Sequence, residues 1–580
     1  MAASAPPRYR IDRLGALVLL ALLALAAAGL WRESLWGPTE PRVIQIAREQ
    51  YATNGLLGVP TFAGMPFLEK PLLYYSHVAL HFHLFGGPSV LAARLATLFW
   101  ALLWIAAVVL IVRRVNGPRA GLLAGMLLAT APLFCRLARR VQLDVALAAL
   151  LTLALLFFAA ALCARRGNAA RWSWLACAAC VGLATLTKGI LGLALFLLPA
   201  AVYALWSRDR RVWRALVWPP ALLLLLGPLA LWALRLYLAG GLPFVLEAFV
   251  NNTLGRFVHF QFELPETAQL SYADVGDTSP WWYYLHKALT LAGPSLFGLP
   301  FALHALARGR FGRGARGRLA RIALCWAVVV PVLLSFSGQK GIHHIGACTS
   351  GFVILVVLWL DRWLRTRTRR PVCATAGTLA MAAVAAAPVA LAVNLAGGLA
   401  TMTAVVVASI SVGILGLAAA CVAFLTGSGR LVAFGLGGAA IAFLVVGFSP
   451  GAVARTDRQR SLGPFAAWLA EESEGTRVGV YFEGDHVLGA VAFALDQPVT
   501  PVLTLEEARG FLESERASLL VVPDVVCAAI LEAAGGPADV AVFARGGNAS
   551  RRIVVVANRA ALVRRPEPTN PPPDPGRARR

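Results

Sequence analysis

Lysine is scarce in this chain: of 53 basic residues only four are lysines, Lys70, Lys188, Lys287 and Lys340. Charge of either sign is thin as well, with 14% Asp, Glu, Lys or Arg against 58% hydrophobic residues in a length of 580. That balance excludes an ordinary soluble globular domain and points to a polytopic membrane protein. Cysteine is sparse and poorly placed for a disulfide framework, since of nine only Cys527 falls in the polar C-terminal part, away from hydrophobic runs. Cys177 and Cys180 form a Cys-x-x-Cys pair inside such a run and read as small packing residues. Acidic residues number 29, which leaves a net charge of +24. In a soluble protein that excess would suggest nucleic acid. Here the arginines cluster between hydrophobic runs, the positive-inside pattern, so the partners are membrane lipids and no nucleic acid is expected.

Runs of about 20 apolar residues suffice to span a bilayer. Thirteen are read here: 14–31, 88–112, 120–135, 145–164, 172–187, 189–206, 215–238, 285–306, 320–337, 345–362, 373–396, 402–425 and 431–448. The first resembles a signal peptide but lacks a small-residue cleavage site before Trp31-Arg32, so it reads as a retained helix. Arginine clusters precede span one and follow every even-numbered span through the twelfth, and these segments hold 25 arginines and no lysine. They are therefore assigned to the cytoplasm, with a cytoplasmic N-terminus. The lysines fall at the opposite face, in or beside outer connections that include two long loops, 32–87 and 239–284.

After Pro450 the composition changes. Short β-branched runs alternate with amphipathic ones, which predicts a small α/β domain. The expected organisation is a mainly α membrane domain over 1–450, an extracytoplasmic α/β domain over 451–563, and a disordered basic, Pro-rich tail over 564–580. Asn548-Ala549-Ser550 is a glycosylation sequon by pattern alone.

Several polar residues stand out against this background. Residues 40–50 read as a short amphipathic helix lying on the membrane, with Thr39 as N-cap. Glu40 and Arg42 then either serve that helix start or face a polar cavity. Lys70, in Glu69-Lys70-Pro71, is either a snorkelling or paired lysine or a phosphate ligand oriented by Glu69. Asp144 begins the fourth span after Arg136, Arg139 and Arg140; an acid at membrane depth requires a partner or a cavity. Lys188 marks a tight turn between two spans. Asn251-Asn252 lie in the second long loop, ahead of the aromatic run Trp281-Trp282-Tyr283-Tyr284, which reads as an interface belt. His343 and His344 are adjacent but have no third ligand at metal-binding spacing.

The order of the motifs Pro38-x-Glu40-x-Arg42, Glu69-Lys70-Pro71, Leu143-Asp144, Thr187-Lys188-Gly189, Gly255-Arg256-Phe257, Trp282-Tyr283-Tyr284 and Ser337-x-x-Lys340 resembles the bacterial aminoarabinose lipid A transferases and their relatives. These belong to the C-type glycosyltransferases, which include the protein O-mannosyltransferases. The resemblance covers about residues 10–450 and implies an inverting glycosyltransferase. Such an enzyme moves a sugar from polyprenyl phosphate to a lipid, glycan or protein acceptor at the outer face of the cytoplasmic membrane. By motif, Lys70, Arg42, Lys340 and Arg256 surround the donor phosphate. Asp144 sits at the cavity, where it positions the acceptor or acts as base, with Glu40 as the alternative base; Glu69 and His344 have positioning roles. No cofactor is required, and a divalent metal stays open because Glu69 matches a metal-binding residue of some relatives.

The departures are specific. Thr39 stands where the family has its favoured catalytic Asp, Val43 replaces a Tyr, Gln45 replaces a Glu, and His344 occupies a tyrosine position. A hydroxyl such as that of Thr39 is no base at neutral pH. Two other readings therefore stand beside the enzyme: a transporter or flippase of a lipid-linked substrate, and a catalytically inactive relative acting as an assembly partner.

Overall fold

The structure is a computed structural model that describes residues 34–255, 279–287, 295–366 and 461–572, apart from positions 36, 38, 54, 165–166, 339, 482–484, 496, 535–539 and 549–550, plus scattered positions before residue 34. Helix α1 (Thr39–Ala52) leads through a hairpin, β1 (Thr61–Phe62) and β2 (Met65–Pro66), to α2 (Leu73–Leu84). Then follow α3 (Val90–Asn116), α4 (Pro118–Ala129), α5 (Pro132–Arg139), α6 (Asp144–Cys163), α7 (Asn168–Lys188), α8 (Ile190–Ser207), α9 (Arg210–Leu216) and α10 (Pro219–Leu246). The remaining helices of the bundle are α11 (Ser295–Ala307), α12 (Ala315–Ser335) and α13 (Gly346–Thr366).

Among the described residues seven helices are long and apolar enough to cross a membrane, or eight if the bent pair α4–α5 counts as one. The mainly helical membrane architecture is thus present, while the count of thirteen is not reached within these residues. Spans 373–396, 402–425 and 431–448 lie outside the described residues, as does most of 14–31.

Two expected boundaries change. The run 120–135 is two helices meeting at 72°. Pro132 is the cause: it lacks an N–H and starts a new helix well, but it cannot continue the old one. The loop expected to begin at 239 does not. Helix α10 continues past a break at Gly240 and Gly241 (φ +69 at the latter) and runs on as a π-helix over Glu247–Gly255. Glycine tolerates that left-handed backbone, and the apolar run Leu-Pro-Phe-Val-Leu beyond it keeps the segment helical. Asn251 and Asn252 donate side-chain hydrogen bonds to the buried Glu247 at 2.7 and 2.9 Å, which serves the π-turn itself.

Helix α1 was expected to lie on lipid. Instead Val43, Ile44, Ile46 and Ala47 are fully buried, because α2 packs on one side and a C-terminal helix on the other. Glu49, near the end of α1, accepts from Thr61 Oγ1 (2.6 Å), Ala63 N (2.7 Å) and Gly64 N (3.2 Å). One carboxylate thereby holds the β1–β2 turn, where Ala63 and Gly64 both have positive φ. The chain leaving that turn is delivered to Phe67-Leu68-Glu69-Lys70.

The C-terminal region comprises α14 (Gly463–Glu472), β3 (Arg477–Tyr481), α15 (Asp485–Ala494), β4 (Val499–Val502), α16 (Leu505–Leu512), β5 (Ser518–Pro523), α17 (Cys527–Ala533), β6 (Val540–Asn548), β7 (Arg551–Asn558) and α18 (Arg559–Arg564). The five strands form one sheet, β4-β3-β5-β7-β6. Strand β3 runs parallel to β4 and β5, while β7 is antiparallel to β5 and β6. One face shares a hydrophobic cluster with the helical bundle, and α16 and α17 cover residues of a second cluster.

The contact with the bundle is made by α15 against α1. A Cβ at Gly489 would stand 2.8 Å from Arg42 N and Pro41 C, so only glycine lets the helices approach this closely. Arg48 Nη1 donates to the carbonyls of Ala492, Phe493 and Leu495 at 3.0 to 3.1 Å, satisfying orphan acceptors at the α15 C-terminus. The tail expected to be disordered from 564 is held as far as Asn570. Glu472 accepts from Arg565 Nη1 (2.7 Å), Thr569 N (3.0 Å) and Asn570 N (2.9 Å), and Trp468 Nε1 donates to Asn570 O.

Two predictions arise from this packing. Gly489→Val should loosen the α1–α15 contact by about 1–3 kcal/mol through overpacking, measured as earlier thermal unfolding and faster proteolysis between residues 450 and 500. Burial raises the Glu472 pKa, but the Thr569, Asn570 and Arg565 hydrogen bonds outweigh it and set the carboxyl below its usual value. Its contribution should therefore be complete above the ordinary glutamate pKa and lost as pH falls through the lowered native value. Trp468 fluorescence, followed through acidification, should report release of the tail; an unchanged signal in Glu472→Gln at neutral pH would contradict the assignment.

Candidate active site

The helix directions sort the charges. Arg113 and Arg114 end α3, Arg365 lies in the last turn of α13, and Arg316 lies near the start of α12. These ends meet in a polar network. Asn116 Nδ2 and Arg365 Nε both donate to the buried Asp361, and Arg316 Nε donates to Asn116 Oδ1. At the other end of the same bundle, α6 begins with Asp144, α7 ends with Lys188, and the 3-10 turn Ile342–Ile345 carries His343 and His344 into α13.

Asp144 and Lys188 form a buried ion pair. The carboxylate lies at the positive N-terminus of α6 and the ammonium at the negative C-terminus of α7, so both helix dipoles favour the charges placed there. Gly189, with φ +61, reverses the chain directly into α8 and keeps Lys188 at this end. The other Asp144 oxygen, Oδ2, accepts from Gln142 Nε2 at 2.9 Å. Gln142 N in turn donates to Tyr74 Oη at 3.1 Å, and Tyr74 is hydrogen-bonded to Thr97 at 2.8 Å. Burial pushes the Tyr74 phenol up, so it remains a neutral member of this chain of bonds.

The side chains of His343 and His344 reach the same place. One ligand atom from each imidazole and one from Asp144 lie within 4.8 Å of one another. Lys188, Lys70 and Arg136 are charges within electrostatic reach of His343.

A second group is built on the 67–70 segment. Glu69 Oε2 accepts from Arg42 Nη1 at 2.9 Å and Oε1 from Lys70 Nζ at 3.2 Å. The Arg42 guanidinium lies 5.5 Å from the centre of the Phe67 ring, an added cation–π restraint. Lys70 and Arg42 are therefore two cations bridged by one carboxylate, both mostly buried.

Glu40 is placed differently. It is 1% exposed and accepts from Arg94 Nη2 (3.3 Å), Arg94 Nε (3.4 Å) and Val141 N (2.9 Å), so it pins α1 to α3 and to the loop before α6. Lys340 Nζ donates to Ser337 O at 2.8 Å, while Tyr284 Oη donates to Gly341 O at 3.5 Å from the segment read as an interface belt. Burial raises the Tyr284 phenol as well. Arg256 lies outside the described residues.

Thus Asp144, His344, Lys70, Glu69 and Arg42 are brought to one end of the bundle. Lys188, His343, Gln142, Arg136 and Tyr284 join them without having been given a role there. Lys188 and Tyr284 stand in motifs of the sequence, and His343 and Arg136 in its noted polar runs, whereas Gln142 carried no signal.

Glu69 has one cation on each oxygen and lies outside the one His/Cys/Asp/Glu cluster of metal-binding geometry among the described residues, which is Asp144, His343 and His344.

Residues 69–234 match the family model described as dolichyl-phosphate-mannose-protein mannosyltransferase. An undecaprenyl phosphate-alpha-4-amino-4-deoxy-L-arabinose arabinosyl transferase of Pseudomonas fluorescens is 28% identical over 353 residues, 60% of this chain and 59% of the relative. The enzyme of the same name in Erwinia tasmaniensis is 28% identical over 328 residues, 56% of this chain and 55% of the relative. In sequence the chain is similar to these aminoarabinose transferases and, over residues 69–234, to the mannosyltransferase family model. It matches somewhat under three fifths of the length of these two relatives. The fold is that of ArnT from Cupriavidus metallidurans bound to undecaprenyl phosphate, with a TM-score of 0.71 at 23% identity over 95% of this chain and 98% of that one. The archaeal oligosaccharyltransferase AglB from Archaeoglobus fulgidus shares the fold more distantly, at a TM-score of 0.51 and 13% identity over 89% of this chain and 70% of that one.

The pair at the centre is open to a direct test. Lys188→Met should leave the Asp144 carboxylate buried and unpaired and destabilise the bundle by about 3–5 kcal/mol. The double variant Lys188→Met/Asp144→Leu should recover much of that loss. Thermal unfolding in detergent measures both; equal melting of the single variant and the unaltered protein would show that the pair contributes nothing.

Proposed function

We propose that this protein is an inverting glycosyltransferase that moves a sugar from a polyprenyl-phosphate donor to a lipid, glycan or protein acceptor. The observation that carries the reading is the convergence at one end of the bundle. Lys70 and Arg42 flank Glu69, and the Asp144, Lys188, His343 and His344 cluster lies within electrostatic reach of Lys70. The reaction needs both halves. Fixed cations stabilise charge growing on the departing lipid phosphate, and a carboxylate beside them serves the acceptor hydroxyl.

In this reading Lys70, Arg42, Lys340 and Arg256 bind the donor phosphate. Glu69 spaces and orients Lys70 and Arg42. Asp144 is the acceptor-side carboxylate and His344 positions the acceptor. Glu40, saturated by Arg94 and Val141 N, is better suited to holding the α1 segment in place than to taking a proton.

The active end faces the outside of the cytoplasmic membrane and the arginine-rich end faces the cytoplasm, supported by the segregation of charge between the two ends of the helices. Residues 1–450 form the membrane transferase domain. Residues 451–563 form an extracytoplasmic unit that braces α1 through Arg48 and Gly489.

Transfer is measured with the full-length protein in lipid, using a polyprenyl-phosphate sugar and an acceptor identified by mass spectrometry of envelope lipids, glycans and glycoproteins from a deletion strain. Lys70→Ala should lower the rate by about 10²–10³, the range for losing one preorganised charge-stabilising group. Asp144→Asn should lower it by about 10²–10⁴. Unchanged transfer in both variants would remove the site assignment, and no product from the unaltered protein would favour the inactive assembly partner.

A further inference from the structure

We propose that His343, His344 and Asp144 form a binding site for a divalent transition-metal ion of the zinc or cobalt class. No motif or spacing assigns such a site, because the histidines are neighbours in sequence and the carboxylate comes from another helix. Their ligand atoms nevertheless lie within 4.8 Å of one another. Metal bonds of about 2.0–2.2 Å in tetrahedral geometry place ligand atoms roughly 3.3 Å apart, a contraction that side-chain rotation supplies. The site is at the head of α6 and on the 3-10 turn that leads into α13, and helices α6 and α13 pack on each other.

Three observations favour an ion. The donor set is two imidazoles and a carboxylate, which suits zinc, cobalt(II), iron(II) and nickel(II) better than calcium or magnesium. Neither imidazole makes a side-chain hydrogen bond among the described residues, so their ring nitrogens are available; their rings contact each other at 4.2 Å between centroids. Asp144 has spare capacity as well. Lys188 and Gln142 occupy one position on each oxygen, and an ionised carboxylate offers about four.

Those two groups then act as outer partners that fix the carboxylate, the usual arrangement around a metal ligand. Lys188, Lys70 and Arg136 oppose a bare cation here. An anion held by the same cations offsets that repulsion, so the ion and a phosphate-bearing ligand should bind with positive coupling.

Metal binding is read by titration, independently of sugar transfer. Full-length protein with any affinity tag removed is stripped with chelator and titrated with cobalt(II), with and without undecaprenyl phosphate. The expected result is one equivalent bound, with the visible absorption of a low-coordinate cobalt site that zinc displaces, and tighter binding with the lipid phosphate present. His343→Ala and His344→Ala should each weaken binding by more than about 100-fold, since outer-partner changes alone cost about 10–100-fold.

Lys70→Ala should lose transfer and keep the metal, whereas Asp144→Asn should lose both, so failure of the metal site and failure of the transferase reading are distinguishable. Should the histidine variants not fold, X-ray absorption of the zinc-loaded unaltered protein decides: two imidazole ligands are expected. An absence of imidazole scattering, no binding at all, or binding unchanged in the double histidine variant would each overturn the proposal.

Discussion

The Asp144–Lys188 ion pair is the constraint around which the polar end of the bundle is arranged. Neither charge is tolerable alone at that depth, and each sits where a helix dipole favours it. The pair ties the start of α6 to the end of α7. Gly189 then turns the chain at once into α8, and Gln142 links the carboxylate to Tyr74 on α2. Around this fixed point the histidines of the α13 turn and the cations of the first long loop assemble. The opposite end is organised by Asn116 and Asp361, with arginines that remain on the arginine-rich side. Charge leaves the hydrocarbon in both directions, and the two ends differ in chemistry: one is acidic, histidine-bearing and lysine-bearing, the other is dominated by arginine.

Helix α1 transmits order between regions distant in sequence. Its Glu40 fastens it to Arg94, Glu49 holds the hairpin that presents Glu69 and Lys70, and Arg48 caps a helix of the C-terminal sheet region. The same short helix carries Arg42. A change in how the C-terminal region docks is therefore felt at the Arg42–Glu69–Lys70 group through one rigid element rather than through a diffuse path. This gives the C-terminal region a structural reason to accompany the bundle, independent of any acceptor it contacts.

Much of the bundle was legible in the residues because hydrophobic length and arginine placement are local properties. The long apolar runs 145–164, 172–187 and 189–206 correspond closely to α6, α7 and α8, since lipid admits few alternatives to a continuous helix. Legibility failed where a local rule met a tertiary one. Pro132 converted one expected span into two helices, and the Gly240-Gly241 break did not end the helical segment that a drop in pattern suggested. The amphipathic α1 was read as a surface helix because its apolar face is identical whether lipid or protein covers it. Its cover is α2 on one side and, on the other, α15, hundreds of residues away.

The sequence by itself determined the class of protein, the segregation of lysine from arginine, and the identity of Lys70, Glu69, Arg42 and Asp144 as charges needing a reason. Composition and span length carry that information, because the cost of placing charge in hydrocarbon acts residue by residue. Only the tertiary structure decided how those charges are partnered. It gave Asp144 to Lys188, saturated Glu40 with Arg94, set Glu69 between two cations, and brought His343 and His344 to a carboxylate on another helix. Such pairings depend on which helix ends meet in space, and no periodicity along the chain encodes the distance between two residues on different helices.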